Sequence, residues 1–133
     1  MIALAPSVGE ELEALENGTL DPSQFPHREH VRFAYEMLGR HSFGEAVTRF
    51  SRGLKRVAGK AGQPQIYHET ITVAFLAVIG ERRARTHAAG WDEFVAANPD
   101  LLDKNVLLRW YSKEQLGSEL AHTTFVLPTA IQK

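Results

Sequence analysis

Apolar side chains recur at intervals of three and four along much of the chain, the spacing of a buried helical face. The clearest run is Phe43, Val47, Phe50, Leu54 and Val57, which predicts a helix over residues 43–58. Arg49, Arg52, Arg56 and Lys60 form a basic stripe away from that face. Ser42 and Glu45 stand three apart at its start, a capping box in which side chains satisfy the free backbone groups of the first turn. Ser7 and Glu10 repeat the signal ahead of Val8, Leu12 and Leu15, and Asn17-Gly18 stops that first helix. Between the two, a turn at 21–25 leads to a predicted helix over 26–39, with Pro26 suited to its first position. At about 100° per residue, Arg28, Glu29, Arg32 and Glu36 share one arc of this helix. His27 and His30 fall on the opposite, apolar arc, and so point inward or into a cleft.

The stretch YHETITVAFLAVI at 67–79 differs in kind. No charge occurs from Thr70 to Gly80, and a helix apolar on nearly every side is a buried one. Its β-branched residues raise a strand as the alternative, but its length and lack of alternation favour a helix at about 64–87. Gly62 and Pro64 break the loop before it, and Gly90 ends the region. A short helix at 91–97 follows, closed by Asn98-Pro99. Asp100 and Asp103 open another that packs through Leu102, Val106, Leu107 and Trp110, and Ser112 with Gln115 makes a third capping pair. The tail at 123–133, containing FVLP, is expected to lie extended over the body. The pattern predicts an all-α fold: a single domain, 1–133, with five or six helices in a compact bundle around the buried central helix.

Composition narrows the function classes. A chain of 133 residues is long enough for a substantial core, and 44% hydrophobic with 23% charged residues is ordinary for a globular domain. The absence of cysteine removes disulfides, thiolate metal sites and thiol nucleophiles. A formal net charge of −1 gives no field that favours nucleic acid, and the basic stripe on the third helix reads as a solvated face rather than a nucleic-acid surface. The apolar run at 71–79 is too short to span a bilayer. The first residues lack the basic start of a secretory signal, so a cytoplasmic location is expected. Neither a G-x-S-x-G nor a Gly-rich phosphate loop is present, and H-R-E-H at 27–30 has the wrong spacing for H-E-x-x-H.

The chemistry-bearing residues are imidazoles and one carboxylate. His27 and His30 are helical neighbours, and His68 supplies a third imidazole at the start of the central helix. Glu69 follows it, rotated by about 100°. Imidazole with carboxylate suits zinc, iron, nickel or copper. The positive end of a helix dipole disfavours imidazolium at His68 and favours the carboxylate of Glu69, the forms that a metal site or a base requires. The alternative without metal is a hydrogen-bonded His–Glu–Tyr cluster, with Tyr67, Tyr35 or Tyr111 as the phenol. His122 is a lesser candidate, and His41 and His87 read as surface residues at helix ends.

The segments FPHREHVRFAYEML, YHETITVAF, NPDLLD, YSKEQLGSELA and FVLP together resemble a group of small bacterial helical proteins. That group carries F-x-H-x-x-H, Y-H-E-T and Y-S…L…A…F-x-x-P segments, and the resemblance runs from about Phe25 to Pro128. It implies a shared fold unit and a common site at His27, His30, Tyr67, His68, Glu69, Thr70, Tyr111 and Ser112; it implies no reaction. The closing segment departs from the group, with His122 and Pro128-Thr129 where a basic residue and a later P-D are expected.

Two function classes follow. One is a small-molecule enzyme or metal-binding protein with its site between the second and central helices. In it His27, His30 and His68 are metal ligands or proton carriers, with His68 and Glu69 as the catalytic pair. The other is a non-catalytic helical module that binds a protein or an apolar ligand, with the histidines as satisfied core residues.

Overall fold

The computed structural model describes residues 5–129, so the ends of the predicted domain, 1–4 and 130–133, lie outside the described residues. The described residues fold as an all-α bundle of seven α-helices joined in places by 3-10 turns. They are α1 (Val8–Asn17), α2 (His27–Arg40), α3 (Phe43–Lys60), α4 (Glu69–Arg85), α5 (Trp91–Ala97), α6 (Lys113–Leu116) and α7 (Glu119–Thr123). The 3-10 turns are Pro22–Gln24, Pro64–Ile66, Pro99–Leu102 and Lys104–Arg109. Among the described residues no helix is long and apolar enough to cross a membrane.

The long central helix is real but shorter than the pattern at 64–87 predicts. Pro64 opens a separate 3-10 turn, and His68 is extended at φ −128°, ψ 114°, so α4 starts at Glu69. A ring and a proline interrupt what periodicity alone reads as one run. As expected, α4 is covered on most sides: it packs against α2, α3 and α7, and Thr70, Thr72, Ala74, Leu76 and Ile79 are buried. The predicted helix after Asp100 is instead two 3-10 turns. Asp103 between them is extended, and its carboxylate accepts the Asn105 N–H, so the backbone restarts there. One short helix, α7, was not foreseen; Ser118 caps it by accepting the Ala121 N–H.

Helices α1 and α3 form the tightest pair. A methyl group added at Gly53 would sit 2.5 Å from Leu15 Cγ and 3.1 Å from the Leu15 carbonyl oxygen. Gly18, in the left-handed region at φ 81°, ends α1. The basic stripe of α3 turns out to serve this junction. Arg49 pairs with the Glu16 carboxylate at 3.0 Å, Arg56 donates to the Glu16 carbonyl, and Lys60 donates to the Thr19 carbonyl. Cations thus collect where the dipole of α1 is negative and its last carbonyls are free.

The tail from Thr124 to Thr129 leaves the helices and is held by side chains of α4, α6 and Tyr111. The Thr70 hydroxyl, buried, donates to the Thr124 carbonyl at 2.7 Å and accepts the Val126 N–H at 3.1 Å. Tyr111 donates to the Val126 carbonyl at 2.8 Å, and Gln115 to the Leu127 carbonyl at 2.8 Å. At the far end of α4, Arg82 forms two bonds to Asp100 and one to Asn98. The buried Asn98 in turn donates to the Phe94 carbonyl.

Two outcomes test these contacts. Gly53→Ala should lower the free energy of unfolding by about 1 to 3 kcal/mol in a denaturant titration, because α1 must move away from α3. Thr70→Val keeps the shape and removes both tail bonds. It should cost about 2 kcal/mol and speed hydrogen exchange at the Val126 amide, while exchange in α1 relative to global stability stays unchanged.

Candidate functional site

Between α2, α3 and α4 lies an open cavity of about 460 Å³. Phe25, Leu54, Ile71 and Phe75 are among its walls, and His27, His30 and Lys104 reach it. A second cavity of about 420 Å³ adjoins it, sharing Phe25, His30, Leu54, Ile71 and Thr72 and adding Gln63, Tyr67 and His68. The two make one trough along the first turns of α2 and α4, within the 300 to 1,000 Å³ range of small-molecule sites. All three predicted imidazoles line it, in the order His27, His30, His68.

They do not form one ligand set. The Nε2 of His68 lies 2.7 Å from the Leu116 carbonyl oxygen and therefore carries the proton it donates. Its Nδ1 accepts the Ile71 N–H at 3.1 Å, capping α4. The neutral ring satisfies both bonds at once and has no free lone pair for an ion. His27 Nε2 donates to the buried Leu101 carbonyl at 3.0 Å, tying α2 to the third 3-10 turn, with Phe75 against its ring at 5.2 Å. Among the described residues no cluster of three or more His, Asp or Glu side chains could hold a metal ion. The donor geometry therefore does not match the zinc, iron, nickel or copper site expected from His27, His30 and His68.

His30 is different. Its ring lies tilted against Phe25 at 4.2 Å, and one ring nitrogen faces the Phe25 backbone as a hydrogen-bond donor. Neither ring nitrogen is a buried polar atom without a partner, and the ring lines both cavities. Burial lowers its pKa to about 4; repulsion from His27 and, more weakly, Lys104 adds to this, and the backbone of Phe25 partly offsets it. Near neutral pH it is a neutral imidazole, and a group this weakly basic is poorly matched to proton abstraction there.

Glu69 points away from the trough, as the 100° offset requires. It lines a separate cleft of about 470 Å³ with Lys55, Tyr67 and His122. The Tyr67 hydroxyl donates to Glu69 Oε1 at 2.7 Å. Burial, and then that bond, push the phenol well above the usual tyrosine range. The Lys55 ammonium stands 5.0 Å over the Tyr67 ring. Of the proposed phenols, only Tyr67 meets the carboxylate: Tyr111 holds the tail, and Tyr35 packs with Trp91, Phe94 and Arg83. His122 lies against His68 at 5.2 Å. His87 is exposed as expected, and His41 is half-buried at the end of α2. Lys104 escaped the sequence reading altogether, because a lysine in a turn 29 residues before the chain's end carries no periodic or motif signal.

Comparison with family models, curated proteins and solved structures finds no match to this chain.

The state of His30 sets a pH dependence. Unfolded, its pKa is about 6.5; folded, it is about 4. Between these values the unfolded chain binds a proton that the folded chain does not, so stability falls as pH falls through this window. The full loss at the acid end is about 3 kcal/mol, from roughly 1.4 kcal/mol per pKa unit. Denaturant unfolding of wild type and His30→Gln from pH 7.5 to 4 checks this. The expected result is a gap between the two curves that changes by most of that amount, with wild type losing more.

Proposed function

We propose that this protein binds a small, mainly apolar molecule in the trough between α2, α3 and α4. The single observation that carries the reading is the trough itself: two adjoining cavities with walls of aromatic and branched aliphatic side chains. Their few polar groups converge on one line. Sites of this composition bind through apolar contact and orient the ligand through a small number of hydrogen bonds. His30 is the group for that second task. It is neutral, it lines both cavities, and with its one donor toward the Phe25 backbone its other ring nitrogen is left as an acceptor. His27, His68 and Thr72 are committed to the protein, Thr72 donating to the His68 carbonyl at 2.8 Å, so they shape the wall.

This is a binding role rather than catalysis. The Tyr67–Glu69 pair faces another cleft, and His30 is a weak base at neutral pH. A metal role would need donors beyond His30 and the remaining Nδ1 of His27, since His68 is fully engaged.

Uptake of N-phenylnaphthylamine, an uncharged apolar fluorophore, tests the proposal. Wild type should bind it in the micromolar range with enhanced, blue-shifted emission. Leu54→Trp, which places an indole in the wall shared by both cavities, should weaken uptake about tenfold or more while circular dichroism stays helical. Lack of uptake by wild type, or equal uptake by a folded Leu54→Trp, would overturn the trough as the site.

A further inference from the structure

The charges around the trough are one-sided. Among the described residues lining either cavity, Lys104 carries a formal charge and no carboxylate is present. Lys104 is exposed and opens the fourth 3-10 turn. It stands three residues after Leu101, whose carbonyl holds His27. The acidic side chains beside it are engaged elsewhere. Asp100 binds Arg82 and Arg109, and Asp103 accepts the Asn105 N–H. The ion pairs of the described residues leave Lys104 without one.

We propose that the ligand of the trough is an amphipathic carboxylate: an aliphatic or aromatic body with one ionised carboxylate, the body against Phe25, Leu54, Ile71 and Phe75 and the carboxylate at Lys104. The assignment rests on the trough being a ligand site, and adds the chemical class. A cationic ligand would meet Lys104 and find no counter-charge. An uncharged one would gain nothing from it. An anion gains an ion pair beside an apolar wall, where attraction is stronger than in open water.

The test compares three chains of equal length at pH 7.5: decanoate, decanol and decylamine, each below its micelle concentration, titrated calorimetrically into the full-length protein. Wild type should bind decanoate about fivefold or more tighter than decanol, with decylamine weakest, since one partly exposed ion pair is worth up to about 1 kcal/mol. Lys104→Glu, an exposed change that leaves the core alone, should reverse that order and leave decanol within about twofold of wild type. Equal binding of decanoate and decanol, or an order untouched by Lys104→Glu, overturns the carboxylate assignment and leaves the apolar trough standing. Tightest binding of decylamine by wild type also overturns it. If none of the three binds and N-phenylnaphthylamine does not bind either, both the class and the site fall together.

Discussion

A helix buried along most of its length cannot leave the free N–H groups of its first turn to water, and the start of α4 answers that constraint with side chains. His68 accepts the Ile71 N–H and donates its other ring proton to Leu116. Thr72 returns to the His68 carbonyl, and Thr70 closes on the tail at Thr124 and Val126. Each of these groups would otherwise be a polar atom without a partner in an apolar setting, at a cost of roughly 1 to 3 kcal/mol. The same bonds place α6, α7 and the tail against α4, so one local necessity organises the C-terminal quarter of the chain. The trough exists because these atoms are satisfied among themselves, leaving apolar side chains to face α2 and α3.

Polar chemistry is thereby sorted to two sides of one helix start. Glu69, Tyr67 and Lys55 form a hydrogen-bonded and cation–π cluster that faces the second cleft. On the trough side the hydrogen-bond pattern dictates the tautomer of His68, and desolvation governs His30. Burial that disfavours charge on His30 also suits an apolar ligand. Lys104 is the charged side chain among the described residues that line the trough.

The other end of the bundle is held by charge in a different way. Arg32 grips Glu11 and Glu29 between α1 and α2, and the α3 cations close over the end of α1. Arg82 joins the end of α4 to Asp100. These contacts are partly exposed, so each adds little by itself. Their use is geometric. They hold α1 against Gly53 of α3, and the third 3-10 turn, with Leu101 and Lys104 nearby, against α2 and α4.

Period and capping chemistry alone determined most of the helices. The three-and-four spacing of Phe43, Val47, Phe50, Leu54 and Val57 is a property of the backbone repeat, and Ser7, Ser42 and Ser112 mark starts because a hydroxyl three residues ahead of an N–H can reach it. Burial of α4 was legible in its uncharged span. The start of α4, the direction of its polar residues and their partners were decided only by the tertiary structure. His68 becomes a cap because Leu116, 48 residues away, takes its other proton. Thr70 and Tyr111, read as site residues beside the histidines, turn to the tail because the tail's backbone needs them. The imidazoles of His27, His30 and His68 could be placed on inward arcs by sequence, but not brought to a common point. Whether lone pairs converge depends on ångström-scale distances between helices and on competing backbone carbonyls, and neither is written in residue spacing. Lys104 joined the trough for the same reason: a short turn packed against α4 carries it there, and no local pattern announces where a turn will dock.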